Sequence, residues 1–416
     1  MRILLVTPVV PCPANTGGRQ RTNLIHRALC ELAEVDTFVI AGEPDISDEH
    51  REILSSDFNV VSFCPPQQTS EIGWPRHLRW IHPPTVNRVV NVLMPDRQFT
   101  LPQPKVKAAV DAIFSRRSYD VVVARYLSAA VATGLLGRDR LAVDVDDLPT
   151  ATISSRLAAG GDPPVRQWYL RRVRSRLAEI ERHQLNRCGH VWVAKEADAA
   201  SVGNPSCSVL RNIPFTEPGQ PEAWDMELPG HSQSHILLTV GMLNYAPNVA
   251  GIDGFLKHAW PSIFKTVPSA EYRIVGSRLA AETKTRWERY PGVTVVGFAA
   301  DLQAEYRQAA ASVCPIPWGG GTNIKVAESL AYGRPAIVSA PAHRGWERIF
   351  PESKCVFVAR EPVDFVHHCV ELLRNPKRRQ QMGTEGRLAA RQWVSYDAFR
   401  KAVAAGVHAA LESPRP

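Results

Sequence analysis

The sequence predicts an α/β protein of two doubly wound, mostly parallel-sheet domains. Three observations lead there. At 416 residues the chain is too long for one ordinary core and suits two such domains. Short apolar runs alternate with stretches of helical period in both halves. One aperiodic, proline-rich segment, residues 214–235, interrupts that rhythm, which then restarts. The composition, 44% hydrophobic and 22% charged, is ordinary for a globular chain. No apolar run approaches the roughly 20 residues needed to cross a bilayer.

Residues 3–7 read as the first strand. The opening MRILLVTPVV also brings a signal peptide to mind, but the apolar run stops before Pro8 and no clean small-residue cleavage site follows. A strand starting at Arg2 accounts for it better. A Pro/Gly-containing loop through Gly18 comes next, then a helix with Leu24, Ile25, Ala28, Leu29 and Leu32 on one face, and a strand at 35–40. Further strands are expected at 60–63, 121–124, 141–144, 191–194 and 207–210. The second half repeats the pattern with strands at 236–240, 271–275, 293–296, 312–316, 336–339 and 356–358. This gives an N-terminal domain of residues 1–213, a linker 214–235 and a C-terminal domain 236–392. An apolar-striped helix begins at Trp393 and runs towards residue 416. Two such halves would leave a cleft between them, and open sheets place ligands beyond the carboxyl ends of their strands.

Charge and cysteines narrow the classes. Eight cysteines (12, 30, 64, 188, 207, 314, 355, 369) include no Cys-x-x-Cys pair, so reduced thiols in a cytoplasmic protein are expected rather than a zinc site or disulfides. Thirteen histidines give no zinc-protease pair, and no Ser/His/Asp order stands out. His26, His258 and His367-His368 fall in helical patterns and read as surface or packing residues. The formal net charge is +8. Eight arginines lie between 151 and 187 against Asp162, Glu179 and Glu181. Within residues 164–187 the apolar positions Val165, Trp168, Tyr169, Val173, Leu177 and Ile180 form an i, i+3/i+4 stripe. Such a helix either packs on its own domain with solvated arginines, the favoured reading, or lies on an anionic membrane face. Residues 74–97 interleave Trp74, Arg76, Arg79, Trp80, Arg88 and Arg97 with prolines, which reads as a specificity-bearing insertion. No nucleic-acid motif accompanies them, so no nucleic-acid partner is expected.

The strongest chemical signal is residues 314–328, CPIPWGGGTNIKVAE. A strand ends, and Gly319, Gly320 and Gly321 permit a tight turn and close backbone approach to a ligand. Thr322 or Asn323 then caps a helix whose inner face is Ile324, Val326, Ala327, Leu330 and Ala331. A helix start offers unpaired N–H groups and a positive dipole end, which suit phosphate oxygens. Lys325 in the first turn adds a charge suited to a pyrophosphate. Glu328, one turn on, can accept from two ribose hydroxyls. A solvated Lys–Glu pair on an ordinary glycine-rich turn is the alternative. No Gly-Lys-Ser/Thr follows the glycines, so this is not a Walker loop.

With these residues in place, the sequence resembles the family 4 glycosyltransferases of the GT-B fold, most closely the bacterial polysaccharide-type sugar transferases. The matching pieces are residues 319–335, 240–248, 273–276, 295–302 and 210–214, in family order and covering essentially the C-terminal half. The N-terminal half matches loosely through Gly17-Gly18. The resemblance implies two Rossmann-like domains and retaining transfer from a nucleotide-diphosphate sugar, with no metal and no cofactor besides that co-substrate. It implies that the diphosphate lies on the amides of Gly321, Thr322, Asn323 and Ile324 and beside Lys325, with Glu328 on the ribose and Phe298 beside the base. Gly241, Asn244 and Gly320 would complete the donor side, and Gly17 and Gly18 would face phosphate or sugar. Two departures stand out: many members carry a glutamate where Gly320 stands, and Met242-Leu243-Asn244 replaces an arginine after the first C-terminal strand.

On the N-terminal side, Asp144-Val145-Asp146-Asp147 admits three readings: metal ligands, acceptor-binding carboxylates or a helix cap. The metal is given least weight. Arg125-Tyr126 follows a strand, where Arg125 would bind a phosphate or acceptor hydroxyl or pair with Asp146 or Asp147. The catalytic candidates are therefore Lys325, Arg125 and Asp146, and the acceptor candidates Arg125, Asp146 and Asp147. A saccharide, a lipid-linked intermediate and a small natural product all fit as acceptor. The expected location is the cytoplasm, with the inner membrane face, reached through the basic helix 164–187, as a variant. A nucleotide-sugar epimerase of the same fold and a non-catalytic nucleotide-sugar binder are the rivals.

Overall fold

A computed structural model describes the chain apart from residue 15 and residues 42–47, 67–98, 218, 221, 226–233, 320 and 414–416. The described residues form two compact units. The first is built from Met1–Leu157, Gly161–Arg211 and the chain from Phe399 onward. The second comprises Ala158–Gly160 and Asn212–Ala398. The division on the amino side falls at Arg211/Asn212 rather than after residue 213, and the last helix is Tyr396–Glu412 rather than starting at Trp393. Of the 214–235 segment, the described part holds one short turn of 3₁₀ helix at Ala223–Asp225.

In the first unit, strands β1 (Arg2–Thr7), β2 (Glu34–Val39), β3 (Val60–Phe63), β4 (Val121–Arg125), β5 (Leu141–Asp146), β6 (His190–Val193) and β7 (Cys207–Val209) form one sheet of order β3-β2-β1-β4-β5-β6-β7. In the second unit, β8 (Ile236–Val240), β9 (Glu271–Val275), β10 (Val293–Gly297), β11 (Ala311–Cys314), β12 (Ala336–Ser339) and β13 (Val356–Ala359) form β10-β9-β8-β11-β12-β13. Every strand pairing among them is parallel. These strands form because β-branched and apolar residues run continuously where a sheet is covered on both faces. Ile3, Leu4, Leu5 and Val6 of β1 are each fully buried, as that requires.

Each sheet has one point where the chain reverses its direction of travel across the strands. In the first it lies between β1 and β4, in the second between β8 and β11. Loops leaving the carboxyl ends of such a strand pair diverge to opposite faces and open a crevice. In the second unit the pair is locked from within. Tyr272 hydroxyl bonds Thr239 Oγ1 at 2.8 Å, and Thr239 Oγ1 donates to Val313 O at 2.7 Å.

The basic helix runs Pro164–Leu185. Its apolar stripe divides in two. Val173 and Leu177 are buried in the unit's core, whereas Val165 and Trp168 are 80% and 61% exposed. The insertion at residues 74–97 lies outside the described residues.

Candidate functional site

In the second unit the two loops leaving β8 and β11 meet at one side chain. After β11 the chain passes through the glycine loop and enters the helix Ile324–Ala331. Asn323 is the cap position, but its side chain makes no capping hydrogen bond. Thr322 Oγ1 accepts from Asn212 Nδ2 at 3.0 Å. The expectation of a side-chain cap at Asn323 is thus corrected, and the amides and dipole of a helix start suit an anion.

Lys325 is half-buried, and its Nζ donates to Asn248 Oδ1 at 2.7 Å. Asn248 belongs to the helix Ala246–His258 that follows β8. Its Nδ2 donates in turn to Met242 O at 2.8 Å. The ammonium therefore spans the reversal point, tying the first turn after β11 to the loop after β8. Gly241 lies directly beneath: a Cβ there would stand 2.8 Å from Asn248 Nδ2 and 3.0 Å from Lys325 Nζ. Burial lowers the Lys325 pKa, a shift opposed by the neighbouring Cys314 and Glu328. A cation weakened by desolvation gains when an anion arrives beside it.

Glu328 does not pair with Lys325. Its Oε2 accepts from Tyr306 hydroxyl at 2.8 Å, and Tyr306, fully buried, stacks on Tyr332 at 4.9 Å between centroids. Burial raises the Glu328 pKa, against the lowering effect of Tyr306 and Lys325. The glycine loop is braced by two residues of the chain after β12. Arg344 donates to Gly319 O at 2.6 Å, and Trp346 Nε1 donates to Asn323 O at 3.2 Å. Phe298 follows Gly297, whose φ of 77° turns the chain out of β10, and its ring is 75% exposed. Asn244 is exposed on the β8 loop. Gly320 lies outside the described residues. The structure thus draws Gly241, Asn248 and Lys325 together, with Glu328 one helical turn on, while Phe298 stands at the end of β10 on the sheet's edge.

In the first unit, Gly17 and Gly18 open the helix Gly17–Cys30 that follows β1. A Cβ on Gly18 would lie 3.5 Å from Tyr126 hydroxyl, which sets the glycine beside the residue that follows β4. Tyr126 and Asp146 hold positive φ, 70° and 61°, at the carboxyl ends of β4 and β5. Non-glycine residues in that region are strained and concentrate at sites of function. Arg125 is fully buried and takes the second of its two expected arrangements, the pairing with Asp146. Its guanidinium donates to Asp144 Oδ2 at 2.6 Å and to Asp146 Oδ2 at 2.9 Å. Arg21 completes the cluster with bonds to both Asp144 oxygens at 3.0 and 2.6 Å. Strand alternation explains the set, because Asp144 and Asp146 share a face of β5 and Arg125 pairs in register with Asp144. An arginine thus enclosed orients the carboxylates of Asp144 and Asp146.

Asp147 comes one residue on, just past β5. Burial, Asp146 and Asp198 push its carboxyl up to about 7, against Lys195 and Arg21. Asp147 Oδ1 is buried with no hydrogen-bond partner, and Lys195 pairs with Asp198 at 3.1 Å. Among the described residues no cluster of three or more His, Cys, Asp or Glu could hold a metal ion. Sequence reasoning missed Asn248, Tyr306, Arg344, Trp346, Asn212 and Arg21. Asn248 and Asn212 left a trace, lying in the matched pieces 240–248 and 210–214.

Residues 234–375 match the family described as Glycosyl transferases group 1. Among solved structures, sucrose-phosphate synthase from Thermosynechococcus elongatus is similar with a TM-score of 0.66 at 15% identity, covering 96% of each chain. Anabaena HepE in complex with UDP is similar with a TM-score of 0.63 at 12% identity, over 98% of this chain and 100% of that one. WaaG, a glycosyltransferase involved in lipopolysaccharide biosynthesis, gives a TM-score of 0.59 at 13% identity over 98% and 99%. No curated protein matches the chain in sequence. The fold is that of the GT-B glycosyltransferases, and residues 234–375 carry the match to a glycosyltransferase family.

Proposed function

We propose that the chain transfers a sugar from a nucleoside-diphosphate donor to an acceptor hydroxyl, in the manner of the family 4 enzymes. The single observation that carries this is the Lys325–Asn248 bridge across the β8/β11 reversal point, beside an uncapped helix start. Solved neighbours support the donor class: HepE is known with UDP and with UDP-glucose.

On this reading the diphosphate sits against the amides of Gly321, Thr322, Asn323 and Ile324 with Lys325 as its counter-charge. Gly241 admits close approach, and Asn244 borders the site from the β8 loop. Glu328 takes the ribose, oriented by Tyr306, and Phe298 stacks on the base. The bond between the anomeric carbon and the donor phosphate oxygen breaks, and the helix amides with Lys325 stabilise the charge that develops there. The acceptor hydroxyl attacks the same face of the sugar, giving retention, and its proton passes to the departing phosphate. No metal takes part. In the first unit, Asp146 contacts the acceptor at the sheet's carboxyl edge with Gly17 and Gly18 beside it. Arg125 acts as a positioning residue that fixes Asp146. A polysaccharide or glycolipid precursor is the acceptor class, and a cytoplasmic location follows from a nucleotide-sugar donor.

Melting the protein against UDP, GDP, ADP, dTDP and their sugar conjugates tests the donor site. A ligand bound only by the folded chain stabilises it by about 2.7 kcal/mol at one hundred times its Kd. One nucleotide should raise the melting temperature, and Lys325→Ala and Glu328→Ala should each abolish the rise. Unchanged binding in both variants would sink the assignment. Turnover of donor without acceptor would favour an epimerase instead, and binding without transfer a sensor.

A further inference from the structure

The helix Pro164–Leu185 carries more exposed charge and apolar surface than its packing uses. From Val173 onward it belongs to the core of the first unit through Val173, Leu177 and Leu185. Leu185 sits at the amino side of the sheet, where its carbonyl and that of Cys188 accept from Asn204, just before β7. Glu181 already reaches the opposite side: it accepts from Thr150 N at 3.1 Å and Thr150 Oγ1 at 2.6 Å, just past the carboxyl end of β5. Trp168 stands thirteen positions earlier, about 20 Å further along the helix axis at 1.5 Å per residue. The amino-terminal part of the helix therefore extends past the carboxyl edge of the sheet, the edge that carries Gly18, Tyr126 and Asp146.

That extension has a distinctive surface. Val165 and Trp168 are 80% and 61% exposed, one turn apart on one face. Arg171, Arg172, Arg174 and Arg176 follow, all exposed, and no acidic residue occurs between Asp162 and Glu179. Asp162 is already engaged by Arg156 at 2.8 Å and by Arg166 at 3.4 Å. Arg172 lies 5.9 Å from the Trp168 ring, so the indole and the guanidiniums form one patch.

We propose that this extension docks the protein on the surface of an anionic lipid bilayer, with Trp168 and Val165 entering the headgroup boundary and the arginines facing lipid phosphates. The two components demand a partner with both properties. A soluble polyanion would satisfy the guanidiniums but leave an indole and an isopropyl group in water, whereas a bilayer interface takes both. Docking by this surface is independent of the donor reading and brings the carboxyl edge of the first unit to the membrane.

The test is co-sedimentation of the full chain with vesicles of phosphatidylcholine alone and of phosphatidylcholine with 30% phosphatidylglycerol, across a range of salt. Each guanidinium near an anionic surface contributes about fivefold in partitioning. The wild type should bind the anionic vesicles and not the neutral ones, and binding should fall as salt rises. The fourfold variant Arg171→Ala/Arg172→Ala/Arg174→Ala/Arg176→Ala should lose at least tenfold, and Trp168→Ala several-fold at unchanged salt dependence. Melting temperatures equal to wild type would show that both variants fold. The proposal is overturned if the wild type ignores anionic vesicles or if the fourfold variant binds as well. It is also overturned if heparin binds the wild type as tightly while Trp168→Ala leaves vesicle binding unchanged, since the patch would then serve polyanions at large.

Discussion

At the scale of single residues, the second unit separates glycines that shape the site from glycines that hold the fold. A Cβ on Gly241 would meet the tips of Asn248 and Lys325 at 2.8 and 3.0 Å, whereas one on Gly276 would fall 1.7 Å from the Gly241 carbonyl oxygen. Side-chain tips can move aside; backbone cannot without displacing a strand end. Gly241→Ala should therefore melt close to wild type yet bind nucleotide at least tenfold more weakly, because it pushes Lys325 from its tether. Gly276→Ala should lose stability outright, with a markedly lower melting temperature and denaturant midpoint. Calorimetry with and without the bound nucleotide measures both, and normal affinity in Gly241→Ala would refute the link between tether and phosphate. The glycines and Lys325 were legible in the sequence because a glycine run before a helix start is a local pattern. Asn248 and Tyr306 were not, since their partners stand 77 and 22 positions away and only the folded sheet brings them together.

At the scale of elements, β5 shows how a period-two pattern settles a reading that composition left open. The run Asp144-Val145-Asp146-Asp147 offered metal, acceptor or cap. Alternation turns Asp144 and Asp146 towards Arg21 and Arg125, while Val143 and Val145 enter the core. Missing from the sequence reading was Arg21, which arrives from the helix after β1. Breaking a buried charge pair by deleting one partner costs about 3–5 kcal/mol, because the charge left behind stays buried. Asp144→Asn should thus destabilise the first unit by that amount and leave the nucleotide-dependent stabilisation of the second intact. Urea unfolding with and without nucleotide reads the two separately. A loss below about 1 kcal/mol would mean that the cluster is a surface feature of little weight. The basic helix makes the complementary point: its stripe was visible, but the level at which the core ends, between Val173 and Trp168, depends on the reach of the sheet beneath it.

For the whole molecule, strand positions were largely legible, since continuous apolar runs mark strands covered on both faces; less so were the ends, where β5 continues to Asp146 and β11 stops at Cys314. Acid sensitivity is a property of the assembled chain that no local pattern discloses, and it concentrates in the first unit. His26 and His190 are 3% and 4% exposed, and burial holds each near a pKa of about 4 against 6.5 when unfolded. A depressed histidine binds its proton more readily in the unfolded state, so its contribution to stability is intact above pH 6.5 and is lost as pH falls from there towards 4. The loss is of the order of 3 kcal/mol for each by pH 4. Asp147 acts in the opposite sense. Its carboxyl, raised to about 7, gains a proton in the folded chain first, so it favours folding as pH falls below 7 and opposes folding above it. The net expectation is a first unit whose melting temperature falls between pH 6.5 and 4, less steeply than two histidines alone would dictate. Asp147→Asn separates the contributions: it should raise the melting temperature most at pH 8, raise it less at pH 5, leave it near wild type only at pH 4, and steepen the decline below pH 6.5. Scanning calorimetry of wild type and variant at pH 8, 6.5, 5 and 4 decides the matter. A variant curve parallel to wild type at every pH would show that Asp147 carries an ordinary carboxyl and that its buried, unpartnered oxygen has a neighbour supplied by solvent.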